Sequence, residues 1–150
     1  MEKNFLDLLR LLNDFKVKYL LIGGYAVGIH AEPRFTKDLD IWIEPSKSNA
    51  KKILLLLRQF GAPVDNLTEE DLATPGLIYI FGIPPQRVDL INKLKGANFR
   101  DCHKRKVKKR IGKLIVNVVS IADLIFLKKI AGRPQDKLDI LNLKKFQRKT

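Results

Sequence analysis

Cysteine, histidine and acid are all scarce in this chain. Cys102 is the one cysteine among 150 residues. No intramolecular disulfide can form, which excludes a disulfide-stapled scaffold and fits a reducing compartment. Cys102 and His103 have no further ligands at metal spacing, which argues against a zinc site. The other histidine, His30, has no nucleophile placed beside it in the sequence and reads as a helix-packing residue. Long hydrophobic runs are missing too, and none approaches the roughly 18–20 apolar residues of a membrane span. The opening segment, MEKNFLDLLRLLNDFKVKYLLIGG, carries acidic residues inside its first apolar stretch and does not fit a signal peptide. The expectation is a soluble, cytoplasmic protein with no membrane partner. There is no low-complexity linker and no internal repeat. The length suits one ordinary domain, 1–150, and a hydrophobic share of 45% is enough for a real core.

What is abundant is positive charge. Lys and Arg number 29 against 16 Asp and Glu, a formal net charge of +13. Such an excess attracts polyanions, nucleic acid above all, through phosphate neutralisation and counterion release. It also suits a triphosphate. The densest basic stretch is His103-Lys104-Arg105-Lys106-Val107-Lys108-Lys109-Arg110. It reads either as a solvated strand face or as a track for an RNA backbone.

Apolar periodicity places the elements. Phe5, Leu8, Leu9 and Leu12 recur at helical spacing over residues 4–15. Val17–Ile22 is a short strand broken by Gly23-Gly24, and Tyr25–Ala31 reads as a short helix. Asp38–Glu44 alternates, with Leu39, Ile41 and Ile43 on one face and Asp38, Asp40 and Trp42 on the other. Ser46 or Ser48 caps a helix through Phe60 that Gly61 ends. Thr68 to Asp71 resembles another helix start. Leu77–Ile83 and Arg87–Ile91 flank Pro84-Pro85 as a hairpin, and Asn98–Lys104 is a helical turn. Lys106–Ile111 and Leu114–Val119 form a second hairpin around Gly112-Lys113. Ser120 caps a helix to Ala131, with Asp123 as a weaker capping-box partner. Pro134 opens a last helix carrying Leu138, Ile140, Leu141 and Leu143. This order of elements predicts an α+β fold around one mixed sheet.

The chemistry concentrates in Leu20–Ile43. A strand runs into two glycines, and backbone amides without side chains at a helix start can approach a phosphate closely. The next strand carries Asp38 and Asp40 at i and i+2, roughly 7 Å apart on one face. Two such carboxylates suit Mg²⁺, which takes hard oxygens and substrate phosphates. Asp89, a lone acid in the apolar strand Arg87-Val88-Asp89-Leu90-Ile91, is the candidate third carboxylate if its strand lies beside that of Asp38 and Asp40. Trp42 shares the acidic face; packing is expected before base stacking. Arg34 and Thr36 are expected to brace the loop ahead of the strand. Asp136 and Asp139, on either side of Lys137, can equally be read as a surface ion-pair set.

These residues resemble the polymerase-beta-like nucleotidyltransferase superfamily. The matching features are Gly23-Gly24, a spacer of 13 residues (Tyr25–Lys37), Asp38-Leu39-Asp40-Ile41, and the later Asp89. The signature Arg34-x-Thr36-x-Asp38-x-Asp40 and the tail (Ser120 to Ile125, Lys128, then Arg133-Pro134-Gln135-Asp136 with Asp139) resemble its small prokaryotic branch related to abortive-infection-type nucleotidyltransferase toxins. The resemblance covers roughly residues 17–143. It implies a nucleotidyltransferase fold, a mixed β-sheet with helices packed on one side and a C-terminal helical region. The catalytic core would lie at about 17–92, with the C-terminal hairpin and helices at about 98–146. Asp38 and Asp40 would bind two Mg²⁺ ions (Mn²⁺ being the alternative), with Asp89 as third acid of the metal site and base for the incoming hydroxyl. Gly23, Gly24, Lys128 and Arg133 would contact the nucleotide. Position 24 is Gly where many members have Ser, which removes a hydroxyl that a phosphate could meet.

The implied activity moves a nucleoside monophosphate from a nucleoside triphosphate to an acceptor hydroxyl, releasing pyrophosphate. The charge makes an RNA acceptor, tRNA included, the first expectation. Protein and small-molecule acceptors stay open, although a cationic aminoglycoside would be repelled by a +13 protein unless the pocket itself were acidic. Two alternatives to this enzyme stand beside it. One is a protein-modifying partner in a toxin–antitoxin pair. The other is a catalytically inactive basic module that binds RNA or protein on the same fold.

Overall fold

The computed structural model describes residues 1–147 and shows an α+β fold built on one six-stranded mixed sheet. The elements, in chain order, are α1 (Lys3–Asp14), β1 (Tyr19–Ile22), α2 (Gly23–His30), β2 (Asp38–Ile43), α3 (Lys47–Phe60), α4 (Glu69–Ala73) and β3 (Ile78–Phe81). There follow β4 (Arg87–Ile91), α5 (Phe99–Lys104), β5 (Val107–Ile111), β6 (Leu114–Val118), α6 (Ile121–Ala131) and α7 (Pro134–Gln147). The strand order is β3-β4-β2-β1-β6-β5. β2 pairs with β4, and β1 with β6, in parallel; the other three pairings are antiparallel. Among the described residues no helix is long and apolar enough to cross a membrane.

Local chemistry sets the element ends. The hydroxyl of Ser46 accepts from the backbone of Asn49 to open α3, and Gly61 closes it in the left-handed region. The Ser120 hydroxyl accepts from the Asp123 amide to open α6, and Gly132 closes that helix the same way. Thr68 and Asp71 form a full capping box at α4. α2 begins two residues earlier than the apolar pattern suggests, at Gly23, whose φ of 71° turns the chain directly out of β1.

The two faces of the sheet are covered differently. Tyr19 pairs with Ile43 across β1 and β2, and its hydroxyl donates to Asn13 of α1 at 2.8 Å. α1 therefore lies on the face of Leu39, Ile41 and Ile43, and α3 packs beside it. On the opposite face Trp42 is 1% exposed and meets Phe99 of α5 edge-on, ring centroids 5.3 Å apart. Trp42 is thus a packing residue on the acidic face. His30 also packs, its Nε2 lying 2.7 Å from the carbonyl of Val119. In α7 the apolar pattern divides: Leu143 is buried, whereas Leu138 and Leu141 are exposed.

Asp136 and Asp139 are not a surface pair. Both are buried in α7, and the buried ammonium of Lys128, from α6, sits between them at 3.1 and 2.9 Å. Arg133 adds Nε and Nη2 bonds to Asp136 at 2.7 and 3.1 Å. Arg34, from the loop before β2, clamps Asp139 with bonds of 2.7 and 2.9 Å, and Gln135 donates to the same carboxylate at 3.0 Å. Nearby, Asn142 and Glu32 exchange two hydrogen bonds between α7 and that loop. Burial pushes the Asp136 carboxyl upward, but the bonds from Arg133 and Lys128 outweigh it and hold it at about 2. Asp139 is likewise pushed up by burial and held below its ordinary value by Arg34, Lys128 and Gln135.

Removing the central cation leaves two buried carboxylates each one charged partner short. Lys128→Met is expected to cost about 3–5 kcal/mol at pH 7 in urea unfolding. Depressed carboxyl values stabilise the fold above the unfolded value and cease to do so as pH falls through the folded one. The native chain should therefore lose this contribution between about pH 4 and pH 2. The deficit of Lys128→Met should shrink over the same range, as its carboxyls protonate. A deficit unchanged between pH 7 and pH 3 would contradict the assignment.

Candidate active site

The turn from β1 into α2 is built for close approach. A Cβ on Gly23 would collide with the carboxylate of Asp40, so the absence of a side chain lets this backbone lie against the acid. A Cβ on Gly24 would stand 2.6 Å from the Thr36 hydroxyl oxygen and 3.1 Å from Nη2 of Arg34. Gly24 is accordingly buried beneath the loop before β2. A serine here would have no room, because the volume its side chain needs is filled by Thr36 and Arg34. Arg34 braces this loop through Asp139, and the Thr36 hydroxyl reaches the Asp38 carbonyl at 3.4 Å.

Strand register assembles the acids. In the parallel β2–β4 pair Asp40 lies opposite Asp89, and Asp38 opposite Arg87. Residues opposite one another share a face, so all three carboxylates and the Arg87 guanidinium stand on the side away from α1. Arg87 holds Asp89 with two bonds of 2.9 and 3.1 Å, and its Nε lies 3.8 Å from Asp38. Asp40 has no such clamp. Burial, then the charges of Asp89 and Asp38, push its carboxyl up to about 7, with Lys128 and Arg133 pulling the other way.

These groups line a cleft of about 540 Å³ between the sheet, α6 and the segment after β4. Gly23, Asp38, Asp40, Asp89, Lys128 and Arg133 all reach it; Gly24 sits behind it. Lys128 arrives with its ammonium already held by Asp136 and Asp139, and its side chain is 8% exposed. The Arg133 side chain is 73% exposed, with its guanidinium held on Asp136. The opposite wall is apolar, formed by Leu94, Leu124, Leu127 and Ile130, with Lys95 at its edge.

Sequence reasoning pairs Arg87 with Asp89 without placing it in the cleft, and misses Lys95 and this wall. Arg87 was signalled by its i, i+2 spacing to Asp89. Leu127 and Ile130 carry no signal of their own, since their pattern is that of any packed helix.

The donor set can be tested for a metal. Among the described residues no three carboxylate, imidazole or thiol groups are drawn together as a ready cage. Mg²⁺ does not need one, because one or two carboxylates and substrate phosphates complete its octahedron. Asp38 and Asp40 are hard oxygen donors on one face of β2, with Asp89 opposite Asp40. A divalent cation bound by these two fits the chemistry of the site.

No protein-family model and no curated protein matches the chain. Solved structures do. The lincosamide antibiotic adenylyltransferase LnuA, lincomycin-bound, is 18% identical, with 96% of each chain covered and a TM-score of 0.61. The antibiotic-resistance factor ANT(2'')-Ia, solved in solution, is 12% identical, with 94% of this chain and 79% of that chain covered and a TM-score of 0.63. At such identities the likeness establishes the fold alone, a nucleotidyltransferase fold.

The close packing of Gly24 is testable by a double-mutant cycle. Gly24→Ser should destabilise the protein by about 1–3 kcal/mol through overpacking. Thr36→Gly, which removes the obstructing side chain, should recover about 1 kcal/mol of that in the double variant. Additive thermal-denaturation losses would show that the two positions do not compete for the same space.

Proposed function

We propose that the protein is a metal-dependent nucleotidyltransferase, a single domain with its catalytic core at about residues 17–92. The reading rests on one observation above the rest: Asp40 and Asp89 lie side by side in register, with Asp38 on the same face and the Gly23 backbone against Asp40.

In the proposed reaction an acceptor hydroxyl oxygen attacks the α-phosphorus of a nucleoside triphosphate. The new oxygen–phosphorus bond forms as the bond to the bridging oxygen of pyrophosphate breaks, and pyrophosphate leaves with the electron pair. Asp38 and Asp40, with Asp89 as third acid, hold Mg²⁺, for which two ions are expected and Mn²⁺ can substitute. Bound there, the metal supplies Lewis-acid charge to the phosphates. Asp89 is the group placed to take the hydroxyl proton, and Arg87 fixes the plane of its carboxylate. Gly23, with Gly24 behind it, offers the start of α2 to the triphosphate. Arg133, held on Asp136, presents an exposed cation to the cleft for phosphate, while the buried Lys128 gives positive potential from behind it. Positioning and charge stabilisation carry catalysis, with no covalent enzyme intermediate.

The net charge of +13 favours an RNA acceptor. A second reading, a small-molecule hydroxyl, is favoured by the apolar wall opposite the acids and by the full-length likeness to a lincosamide-modifying enzyme. A protein acceptor, as in a toxin–antitoxin pair, is the remaining alternative.

Incubation with each radiolabelled nucleoside triphosphate, Mg²⁺ and total cellular RNA separates these readings. Label should pass to RNA and be lost on chelation of the metal. Asp38→Ala and Asp40→Ala should each lower the rate at least about 100-fold, the scale of losing one electrostatic contact to the reacting phosphate. Label on protein or on a small hydroxyl compound would keep the enzyme and move the acceptor. An absence of transfer and of metal-dependent triphosphate binding would leave a basic binding module on this fold.

A further inference from the structure

The acidic face of the sheet carries two more clefts beside the one that holds the carboxylates. The middle one, about 420 Å³, is lined by Trp42, Glu44, Lys93, Phe99 and Arg100, among others. The far one, about 470 Å³, is lined by Lys16, Lys18, His103, Lys106 and Lys108, with Asn13 and Asn117. The three are contiguous. Lys95 lines the first and Lys93, two residues away in the same segment, lines the second. The second and third share α5, where the rings of Phe99 and His103 stack with centroids 5.3 Å apart. They also share the contact of Lys18 with Glu44, at 4.0 Å. Register places Lys18, Asn117 and Lys108 on the same face as Asp40: Lys18 alternates with Leu20 and Ile22, Ile22 pairs with Asp40, and Lys108 pairs with Asn117.

Among the described residues Glu44 is the one acid lining the second and third clefts. Lys93, Arg100 and Lys108 are exposed. Lysine on an edge strand has a blander use, since charge there blocks pairing with another sheet. That accounts for Lys108, Lys109 and Arg110 on β5. It does not account for Lys18, which immediately precedes interior strand β1, nor for Lys93 and Arg100, which lie on no strand. What unites those three with Lys108 is the face they share and its direction toward the carboxylates, about 13 Å from Lys18 to Ile22 along β1.

We infer that this row of clefts, from Lys95 through Lys93 and Arg100 to Lys18, Lys106 and Lys108, binds the sugar–phosphate backbone of a single nucleic acid strand and leads it to the carboxylates. Its cations, set along successive clefts, suit a flexible polyanion, whose binding follows phosphate neutralisation. The inference deepens the transferase reading and rests on it for the destination of the strand, not for the binding.

Fluorescence anisotropy with a short labelled oligouridine, and with oligothymidine beside it, tests the track without triphosphate or metal. The key comparison is between two variants of equal net charge. One is Lys93→Gln, Lys106→Gln, Lys108→Gln. The other is Lys47→Gln, Lys51→Gln, Arg58→Gln, on α3 behind the sheet. The first should weaken binding at least tenfold and lower the magnitude of the salt slope by about 2, three contacts at about 0.7 each. The second should bind as the parent does. Equal losses in both variants, no loss in either, or no binding by the parent would overturn the inference. Should the first variant lose its far-UV circular dichroism, Lys93→Gln with Arg100→Gln, which leaves β5 intact, takes its place. Equal affinity for both oligomers would show backbone recognition alone and tighter RNA binding an added 2′-hydroxyl contact; both support the track. Asp38→Asn with Asp40→Asn separates the two proposals, because it should retain strand binding whether or not the parent transfers nucleotide.

Discussion

The Lys128 ammonium, held between Asp136 and Asp139, ties together the three parts of the chain from which the cleft is made. α6 supplies the lysine, α7 supplies the two acids, and the loop before β2 joins through Arg34 on Asp139. Without that join, the loop preceding Asp38 and the helix forming the apolar wall would lose the ionic anchor they share. Buried ion pairs are costly to desolvate and gain little over apolar packing. Their value here lies in position: each carboxylate accepts from at least two donors, so the geometry of the loop and both helices is fixed together.

That anchoring has an electrostatic consequence for the acids on the sheet. Three carboxylates crowd one end of β2 and β4, and only Asp89 has a two-point cationic partner. Asp40 is left partly buried among like charges, with Lys128 and Arg133 as its nearest relief. A site in this condition favours cations, while the positively charged remainder of the molecule favours polyanions. The two preferences meet in one cleft.

Much of this arrangement was legible from residue order. The i, i+2 acids of β2, the strand-ending glycines, the caps at Ser46 and Ser120 and the hairpin about Gly112 are local events, governed by backbone sterics and side-chain alternation. Asp89 was legible as well, since a lone acid in an apolar strand is conspicuous. Arg87 and the apolar wall were less so. Arg87 could be read as an ordinary surface partner of Asp89 until its strand was placed beside Asp38. Leu127 and Ile130 look like any helix-packing residues until α6 docks. Asp136 and Asp139, flanking a lysine, look exposed in sequence, because nothing local reveals that their partners are Arg34 and Lys128.

What the sequence alone determined, then, is the set of elements, the α+β class and the identity of the acids facing one way from β2, all consequences of short-range geometry. Tertiary structure decided the rest: that β4 runs parallel to β2 with Asp89 opposite Asp40, that Gly24 is packed under Thr36, and that Lys128 is enclosed by carboxylates. Each joins residues distant in the chain. Register, close approach and burial are properties of pairs, and which residues become pairs depends on how the whole chain packs.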